Sequence, residues 1–246
     1  MPLPVYYACL KRNAMIPIRD TIRSRSFPYV NWLIIILNCL IFFYQSNLSS
    51  SQLDAFVETF ALIPAQINPL NPVSWYPLLT HMWLHASFWH LLGNMWVLFI
   101  FGDNVEDRLG STRYLIFYLL GGISAGLLQY FFSASSEIAA LGASGAIAAV
   151  MGAYFVFYPN SKVVTFVPIF FFGWFVRISS YVFFAIWFGM QLFSGVSSLA
   201  SAAGAAAGGV AWWAHVGGFL FGLIMARPFC IGRCQRQSYV DEHYPW

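Results

Sequence analysis

The run YLIFYLLGGISAGLLQYFF, at residues 114–132, is mostly apolar and contains no charged side chain. A helix of about 20 such residues is long enough to cross the hydrocarbon core of a bilayer. We therefore predict a membrane-spanning helix here. Three further runs, at residues 28–45, 180–195 and 209–226, have the same character and predict three more spans.

Two weaker runs bring the predicted number of spans to six. Residues 87–102 are mostly apolar but contain His90 and Asn94, and residues 144–158 form a short run rich in glycine and alanine. A seventh candidate, residues 163–176, has only 14 residues and contains a proline. Its length and its proline favour an interfacial or re-entrant segment instead of a span.

The composition of the whole chain agrees with a membrane protein. Of 246 residues, 59% are hydrophobic and only 9% are charged, whereas a soluble domain has about 25% charged residues. This excludes a soluble globule, a disordered chain and a nucleic-acid binder, and the expected surroundings are the lipid bilayer. We predict an all-α membrane protein with a six-transmembrane-helix bundle at residues 28–226, flanked by an N-terminal segment, 1–27, and a C-terminal tail, 227–246.

The basic side chains fall on one side of this six-span arrangement. They lie before span 1, between spans 2 and 3, between spans 4 and 5, and after span 6: Lys11, Arg12, Arg19, Arg23, Arg25, Arg108, Arg113, Lys162, Arg177, Arg227, Arg233 and Arg236. The other three connections hold no Lys or Arg. The positive-inside rule then predicts a multi-pass protein of the cell membrane with both termini in the cytoplasm.

The first outer connection, residues 46–86, is long. It begins with apolar residues at helical spacing, Leu53, Phe56, Val57 and Phe60. This pattern predicts a helix that lies in the outer interface of the membrane.

Four polar residues lie where a membrane helix tolerates them poorly. His90 and Asn94 share one face of span 2, Ser144 opens span 4 within Gly142-Ala143-Ser144-Gly145, and His215 lies about six residues into span 6. Each could singly be structural, because serine bonds back to its own helix and asparagine or histidine can join helices. Since all four enter from the outer side at similar depth, we interpret them together as a functional site.

These residue types suit acyl transfer. Serine attacks a carbonyl when a base takes its proton, and neutral histidine is such a base. The developing oxyanion needs donors, which the Ser144 backbone and the side chains of Asn94 and His90 could supply. The predicted spans contain no Asp or Glu, so we expect a Ser144–His215 dyad without a carboxylate. Small residues on spans 4 and 6 would let the two helices approach: Gly145, Ala148, Ala149, Gly152, Ala211, Ala214, Gly218 and Gly222.

Three motifs resemble those of the rhomboid family of intramembrane serine proteases. They are His81-x3-His85-x4-His90-x3-Asn94 with Gly102-x3-Glu106 and Arg108, then Gly142-x-Ser144-Gly145, and Ala214-His215-x-Gly217-Gly218. The resemblance implies a six-helix core with a long first outer loop, without a cofactor. It implies cleavage of single-pass transmembrane protein substrates near the outer membrane face.

The resemblance also implies a role for each site residue. Ser144 resembles the nucleophile and His215 its base. His90, Asn94 and the Ser144 backbone resemble the oxyanion hole, and Gly142 is assigned to the same oxyanion and substrate-binding group. Two positions depart from some members: Tyr76 stands where they have Arg after a Trp, and Ala148 stands where they have Tyr.

Three alternatives to proteolysis are a zinc site, a transporter and a catalytically silent relative of these proteases. His81, His85 and His90 could bind zinc, but no HExxH glutamate accompanies them, so we expect no metal. A transporter should have intramembrane charges or an internal repeat, and neither is found in the predicted spans. A catalytically silent rhomboid-like chaperone or binding protein should lack Ser144 or His215, and both are present.

The one-sided basic residues predict the outcome of single-cysteine labelling in sealed cells or vesicles. An impermeant reagent should label a cysteine at Ser50 or Glu137 from outside, and one at Lys162 or Arg236 only after permeabilisation. Labelling at position 162 from outside would contradict the six-span arrangement.

Overall fold

The computed structural model describes residues 16–169, 172–200 and 211–232 of the chain, and most of them are helical. The helices are α1 Tyr29–Ser46, α2 Ser50–Phe60, α3 Pro77–Thr80, α4 Phe88–Leu109, α5 Ser111–Ser133, α6 Ser144–Phe157, α7 Ser180–Ala200 and α8 Trp212–Cys230. Three short 3-10 turns, Pro64–Gln66, Pro72–Trp75 and His81–Trp83, lie in the first long connection.

The chain is a multi-pass membrane protein. Within the described ranges, α1, α5 and α7 are by themselves long and apolar enough to cross a bilayer. The segment 72–83 and α4 together meet the same test but are bent by 82° at the break between them. Length and composition therefore identify three or four spans, and the count of six stays a prediction. The predicted helix in the first outer connection is present as α2.

Three helices continue several residues past their predicted ends, and one of them is α7, which runs to Ala200 rather than residue 195. Helix α4 continues from the apolar run through Asp103, Glu106 and Asp107 to Leu109, and it ends at Gly110, whose φ of +78° favours glycine. Residues 209 and 210 of the predicted span 209–226 lie outside the described residues. Helix α8 begins at Trp212, directly after the non-helical Ala211, and continues to Cys230, so His215 lies in its first turn rather than six residues inside.

The prediction of an all-α protein is wrong in one respect, because the chain also contains a three-stranded antiparallel sheet. The strands are β1 Ile16–Asp20, β2 Lys162–Ile169 and β3 Phe172–Ser179, with β2 in the centre. The predicted interfacial or re-entrant segment, 163–176, therefore belongs to two paired antiparallel strands, with residues 170 and 171 outside the described residues. Its β-branched and aromatic residues favour a strand, and Val163 and Thr165 alternate towards the buried side.

The amino-terminal segment predicted at 1–27 contributes β1 to this sheet. Ile16 pairs with Phe166 and Asp20 pairs with Val163. The indole N–H of Trp96 on α4 also donates a hydrogen bond of 2.7 Å to the Pro17 carbonyl. Strand β1 is thus held by both the hairpin and α4.

Helices α1, α4 and α5 meet at a buried asparagine. The Asn31 amide donates to the Leu98 carbonyl at 3.2 Å and accepts from the Tyr114 hydroxyl at 2.8 Å. Gly102 on α4 faces this group, and a Cβ there would collide with the Asn31 side chain. The absence of a side chain at Gly102 therefore lets α1 lie against α4.

Glu106 closes the same end of the bundle. Its carboxylate accepts from the backbone N–H of Val30 at 3.1 Å and of Asn31 at 2.7 Å, and from the Ser111 hydroxyl at 2.6 Å. The first two donors belong to the start of α1, where helix N–H groups lack intrahelical acceptors and the helix dipole favours a negative charge. These hydrogen bonds stabilise the Glu106 carboxylate, although the residue is only 2% exposed.

Helices α6 and α8 lie against each other through glycines. A Cβ at Gly218 or Gly222 of α8 would collide with the carbonyl oxygen of Gly145 or Ala149 of α6, and a Cβ at Gly152 with the carbonyl oxygen of Phe219. The two backbones are therefore in direct contact along several turns, as small residues permit in membrane proteins.

Asp20, at the end of β1, is held between α4 and α6. Its Oδ2 accepts from the Tyr154 hydroxyl at 2.6 Å and from the Asn104 amide at 2.8 Å. Burial raises the pKa of this carboxyl from its ordinary value to about 8, because desolvation disfavours the charged form.

This shift predicts a pH-dependent stability. Because the folded chain holds a proton that the unfolded chain has released, the free energy of unfolding should fall as the pH rises from about 4 to about 8. We expect the apparent thermal midpoint in detergent to fall between pH 6 and 9, and Asp20→Asn to flatten that slope. The matched control is Asp54→Asn on exposed α2, which should keep the wild-type slope. An unchanged slope in Asp20→Asn would contradict the assignment.

Candidate active site

Ser144 and His215 come together across the contact between α6 and α8. Ser144 is the first residue of α6 and His215 the fourth residue of α8. The distance between Ser144 Oγ and His215 Nε2 is 2.8 Å, and both side chains are half-buried. A hydroxyl in this position can donate its hydrogen bond to a neutral imidazole and can lose its proton to it.

Gly142 leaves an open space beside the serine. Its φ of +125° is a backbone conformation that residues with a side chain rarely adopt. A Cβ at this position would lie 2.8 Å from His90 Nε2 and 3.6 Å from Asn94 Nδ2. The missing side chain therefore leaves a small space that is bordered by two nitrogens of α4, one from the His90 ring and one from the Asn94 amide.

Both nitrogens can donate into this space. Asn94 Nδ2 is buried and has no hydrogen-bond partner among the described residues, and a buried donor without an acceptor is costly. His90 Nδ1 accepts a long contact of 3.5 Å from the Ala86 N–H, and this arrangement is compatible with a proton on Nε2. An oxyanion in this space would give both donors an acceptor.

The backbone supplies further donors at the same place. Ser144 begins α6, and the first N–H groups of a helix have no intrahelical acceptor. The chain before Ser144 is fixed by the first long connection, because the Gly142 N–H donates to the His81 carbonyl at 2.9 Å. Leu62 and Ala140 add a two-bond bridge of 3.0 and 2.8 Å. The turn that presents the serine is thus anchored.

The structure adds a residue that the sequence did not single out. The side chain of Gln191 on α7 reaches His215, and its Oε1 lies 2.8 Å from Nδ1 of the ring. Gln191 is only 7% exposed. The one available signal was a lone amide side chain within the predicted span 180–195, and without a motif around it this signal is weak.

His81 and His85 take other positions. The His81 Nδ1–H donates to the Pro77 carbonyl at 2.8 Å, and the His85 backbone N–H donates to Gln45 Oε1 at 3.2 Å. The His85 ring lies 5.1 Å from the His90 ring, centroid to centroid. Within the described ranges, no three side chains of His, Cys, Asp or Glu converge as metal ligands.

Comparison with known proteins supports one family. A family model described as Rhomboid domain matches residues 72–231 of the chain. The chain is similar to RHOMBOID-like protein 6, mitochondrial, of Arabidopsis thaliana, with 41% identity over 76 residues, which are 31% of this chain and 24% of the relative.

Two other relatives align over longer stretches. Rhomboid protease GluP of Bacillus subtilis (strain 168) is 35% identical over 128 residues, 51% of this chain and 24% of the relative. Presenilin-associated rhomboid-like protein, mitochondrial, of Homo sapiens is 33% identical over 110 residues, 42% and 28% of the two chains. The matched part thus spans about a quarter of the length of these relatives.

The space at Gly142 makes a testable prediction. Gly142→Ala places a methyl group against the His90 ring and strains the backbone, so the rate at which a fluorophosphonate labels Ser144 should fall by about 10²-fold or more. The matched control is Gly93→Ala on α4, where a Cβ meets no atom within 4 Å and labelling should stay at the wild-type rate. Wild-type labelling of a folded Gly142→Ala variant would contradict the assigned space.

Proposed function

The chain belongs to the rhomboid family, and we propose that it is an intramembrane serine endopeptidase with Ser144 as nucleophile and His215 as base. The observation that carries this proposal is the 2.8 Å contact between Ser144 Oγ and His215 Nε2 on two glycine-packed helices. The proposed substrates are single-pass transmembrane proteins, cleaved near the outer membrane face without a cofactor.

The proposed arrangement in the membrane has six spans, α1, α4, α5, α6, α7 and α8, with the long first connection on the outer side. It is supported by the match of these helices to the six apolar runs and by the one-sided basic residues. Both termini then lie in the cytoplasm, and the site opens to the outer side. We propose the cell membrane as its location, and a fluorescent fusion found in another membrane would overturn that part.

The first half of the proposed reaction forms an acyl-enzyme. The Ser144 hydroxyl proton moves to His215 Nε2 while Oγ bonds to the scissile carbonyl carbon. The imidazolium then gives that proton to the leaving amine, and the C–N bond breaks. His215 is thus base and acid in turn, and it ends this half neutral.

The negative charge of the tetrahedral intermediate is held by the donors around Gly142. Asn94 Nδ2, His90 Nε2 and the backbone N–H of Ser144 are the proposed oxyanion hole. The proposal is supported by the buried, unpartnered state of Asn94 Nδ2. It is also supported by the dipole of α6, because the positive end of a helix favours an anion.

The second half hydrolyses the acyl-enzyme. Water loses a proton to the neutral His215 Nε2 and attacks the ester carbon, and Ser144 Oγ leaves with that proton. Water can reach this point because Ser144 and His215 are half-buried at the ends of their helices. A substrate helix hides its own peptide bonds, so it must unwind locally before one bond can reach Oγ.

A catalytically silent membrane chaperone or binding protein is the alternative. Such a protein needs no hydroxyl aligned with an imidazole and no unpartnered donors beside it. The discriminating observation is covalent trapping of Ser144 by a fluorophosphonate, which requires an activated serine.

The dyad predicts a non-additive mutant series. With a model single-pass substrate in detergent, Ser144→Ala and His215→Ala should each reduce cleavage by on the order of 10³-fold or more, and the double variant should be little slower. Asn94→Ala should be milder, by about 10–10³-fold, because other donors remain. Losses that multiply in the Ser144, His215 double variant would show that the two side chains act independently and would contradict the dyad.

A further inference from the structure

We propose that Gln191 is a positioning residue for the base: its amide carbonyl fixes the tautomer and the orientation of His215. This inference rests on the proposed function, because it assigns a third member to the same site. Gln191 would hold the place that a carboxylate takes in a Ser–His–Asp triad, but without a charge.

His215 has hydrogen-bond partners on both sides, Gln191 Oε1 at 2.8 Å from Nδ1 and Ser144 Oγ at 2.8 Å from Nε2. The three side chains come from three different helices, α7, α8 and α6. An imidazole bound at both nitrogens cannot turn about its χ angles without losing one of the bonds.

The chemistry of the amide selects one tautomer. A neutral imidazole carries its proton on only one nitrogen. Because Gln191 presents a carbonyl oxygen to Nδ1, the proton lies on Nδ1 and the lone pair of Nε2 faces Ser144. The opposite tautomer would point an N–H at the serine oxygen and could not accept its proton.

A neutral acceptor also suits the imidazolium that forms during attack. The Gln191 carbonyl dipole continues to accept from Nδ1–H when the ring becomes charged, and hydrogen bonds to charged groups are about twice as strong as neutral ones. A carboxylate in this position would be a permanent buried charge before the reaction begins, which is expensive in a membrane.

Helix α7 holds the ring by packing as well. Trp187 lies one turn before Gln191 on the same face, with its ring 5.9 Å from the His215 ring at an interplanar angle of 37°. Trp212 contacts the ring edge-on at 6.4 Å. The position on α6 one turn after the serine is Ala148, which is too small to support the ring in that way. The amide and the indole of α7 take over that support.

Two substitutions at this position separate the proposed role from simple packing. Gln191→Met keeps the length of the side chain but removes the acceptor, so kcat should fall by about 10–100-fold, the rate equivalent of one hydrogen bond to a charged group. KM should stay within about twofold, because the substrate does not touch this side chain.

Gln191→Glu keeps the acceptor and adds an ionisable group. It should be faster than Gln191→Met. The acid limb of its pH–rate profile should move to higher pH by about one unit or more, because a carboxylate stabilises the imidazolium. His90 is the other titratable group that acts electrostatically on His215, so both profiles are also measured in a His90→Asn background, where the shift should persist.

The matched control is Gln129→Met on α5. Gln129 Oε1 accepts from the Ala214 backbone N–H at 3.2 Å, so this variant loses a glutamine bond to the same helix without touching the ring. It should leave the midpoint of the acid limb unshifted, even where it lowers thermal stability. Fluorophosphonate labelling of Ser144, measured with the thermal midpoint of each variant, separates inactive sites from unfolded protein.

The outcomes distinguish a failure of the positioning role from a failure of the proposed function. If wild-type protein cleaves and Ser144→Ala does not, while folded Gln191→Met matches the wild type in kcat, the positioning role is wrong and the proposed function stands. Gln191→Glu no faster than Gln191→Met, or with an unshifted acid limb, also overturns the role. If the folded wild type neither cleaves nor labels, the proposed function fails, and the role of Gln191 fails with it.

Discussion

A serine and a histidine on different helices can share a hydrogen bond only if the helix backbones lie very close together. Lipid tails are as apolar as leucine, so the hydrophobic effect does not bring helices together inside a bilayer, and packing must do it. In this chain Gly152, Gly218 and Gly222 lack the side chains that would separate α6 from α8, and Gly145 lacks one that would collide with Ala125 of α5. A Cβ at Gly152, Gly218 or Gly222 would push the two backbones apart, and we expect this to lengthen the 2.8 Å contact at the end of the interface.

The two ends of the bundle use buried polar groups differently. At one end, the Glu106 carboxylate accepts from three donors and closes the start of α1. At the other end, Asn94 Nδ2 is buried without a partner in the described part of the chain. A fully paired group stabilises the fold, whereas an unpaired one costs stability and is retained where a ligand or a transition state supplies the missing partner. The unpaired Asn94 Nδ2 agrees with the proposed oxyanion hole because it also borders the space at Gly142.

The sequence was most informative where a hydrophobic run is long or where several motifs occur together. The long apolar runs predicted the helices, because a run of 18 or more apolar residues is typical of a membrane-spanning helix. The motifs around His90, Ser144 and His215 predicted the family, which the domain match confirms. The sheet was missed because a short apolar run does not distinguish a strand from a buried segment. Pairing between residues 16–20 and 162–169 is also invisible in a local pattern.

Gln191 was missed for a different reason. A single amide on an apolar helix has no periodicity and no neighbours of its kind, so its partner follows only from the packing of α7 against α8. The bounds of α4 were underestimated because hydropathy reports where a membrane ends and not where a helix ends. In each case the missing information was three-dimensional. The sequence does not show which faces of two helices are in contact, or how far a helix continues beyond its apolar run.

The sheet has a consequence for how the protein is made. Ile16 pairs with Phe166, so about 150 residues separate the partners along the chain. At roughly 5–20 residues per second, a ribosome needs on the order of 10 s to reach β2 after it has made β1. During that time the first strand has no partner strand, although several hydrophobic segments after it have already left the ribosome. The sheet therefore closes only after α1 to α6 have been synthesised, and a chain whose synthesis stops before β2 would leave β1 without its partner strand.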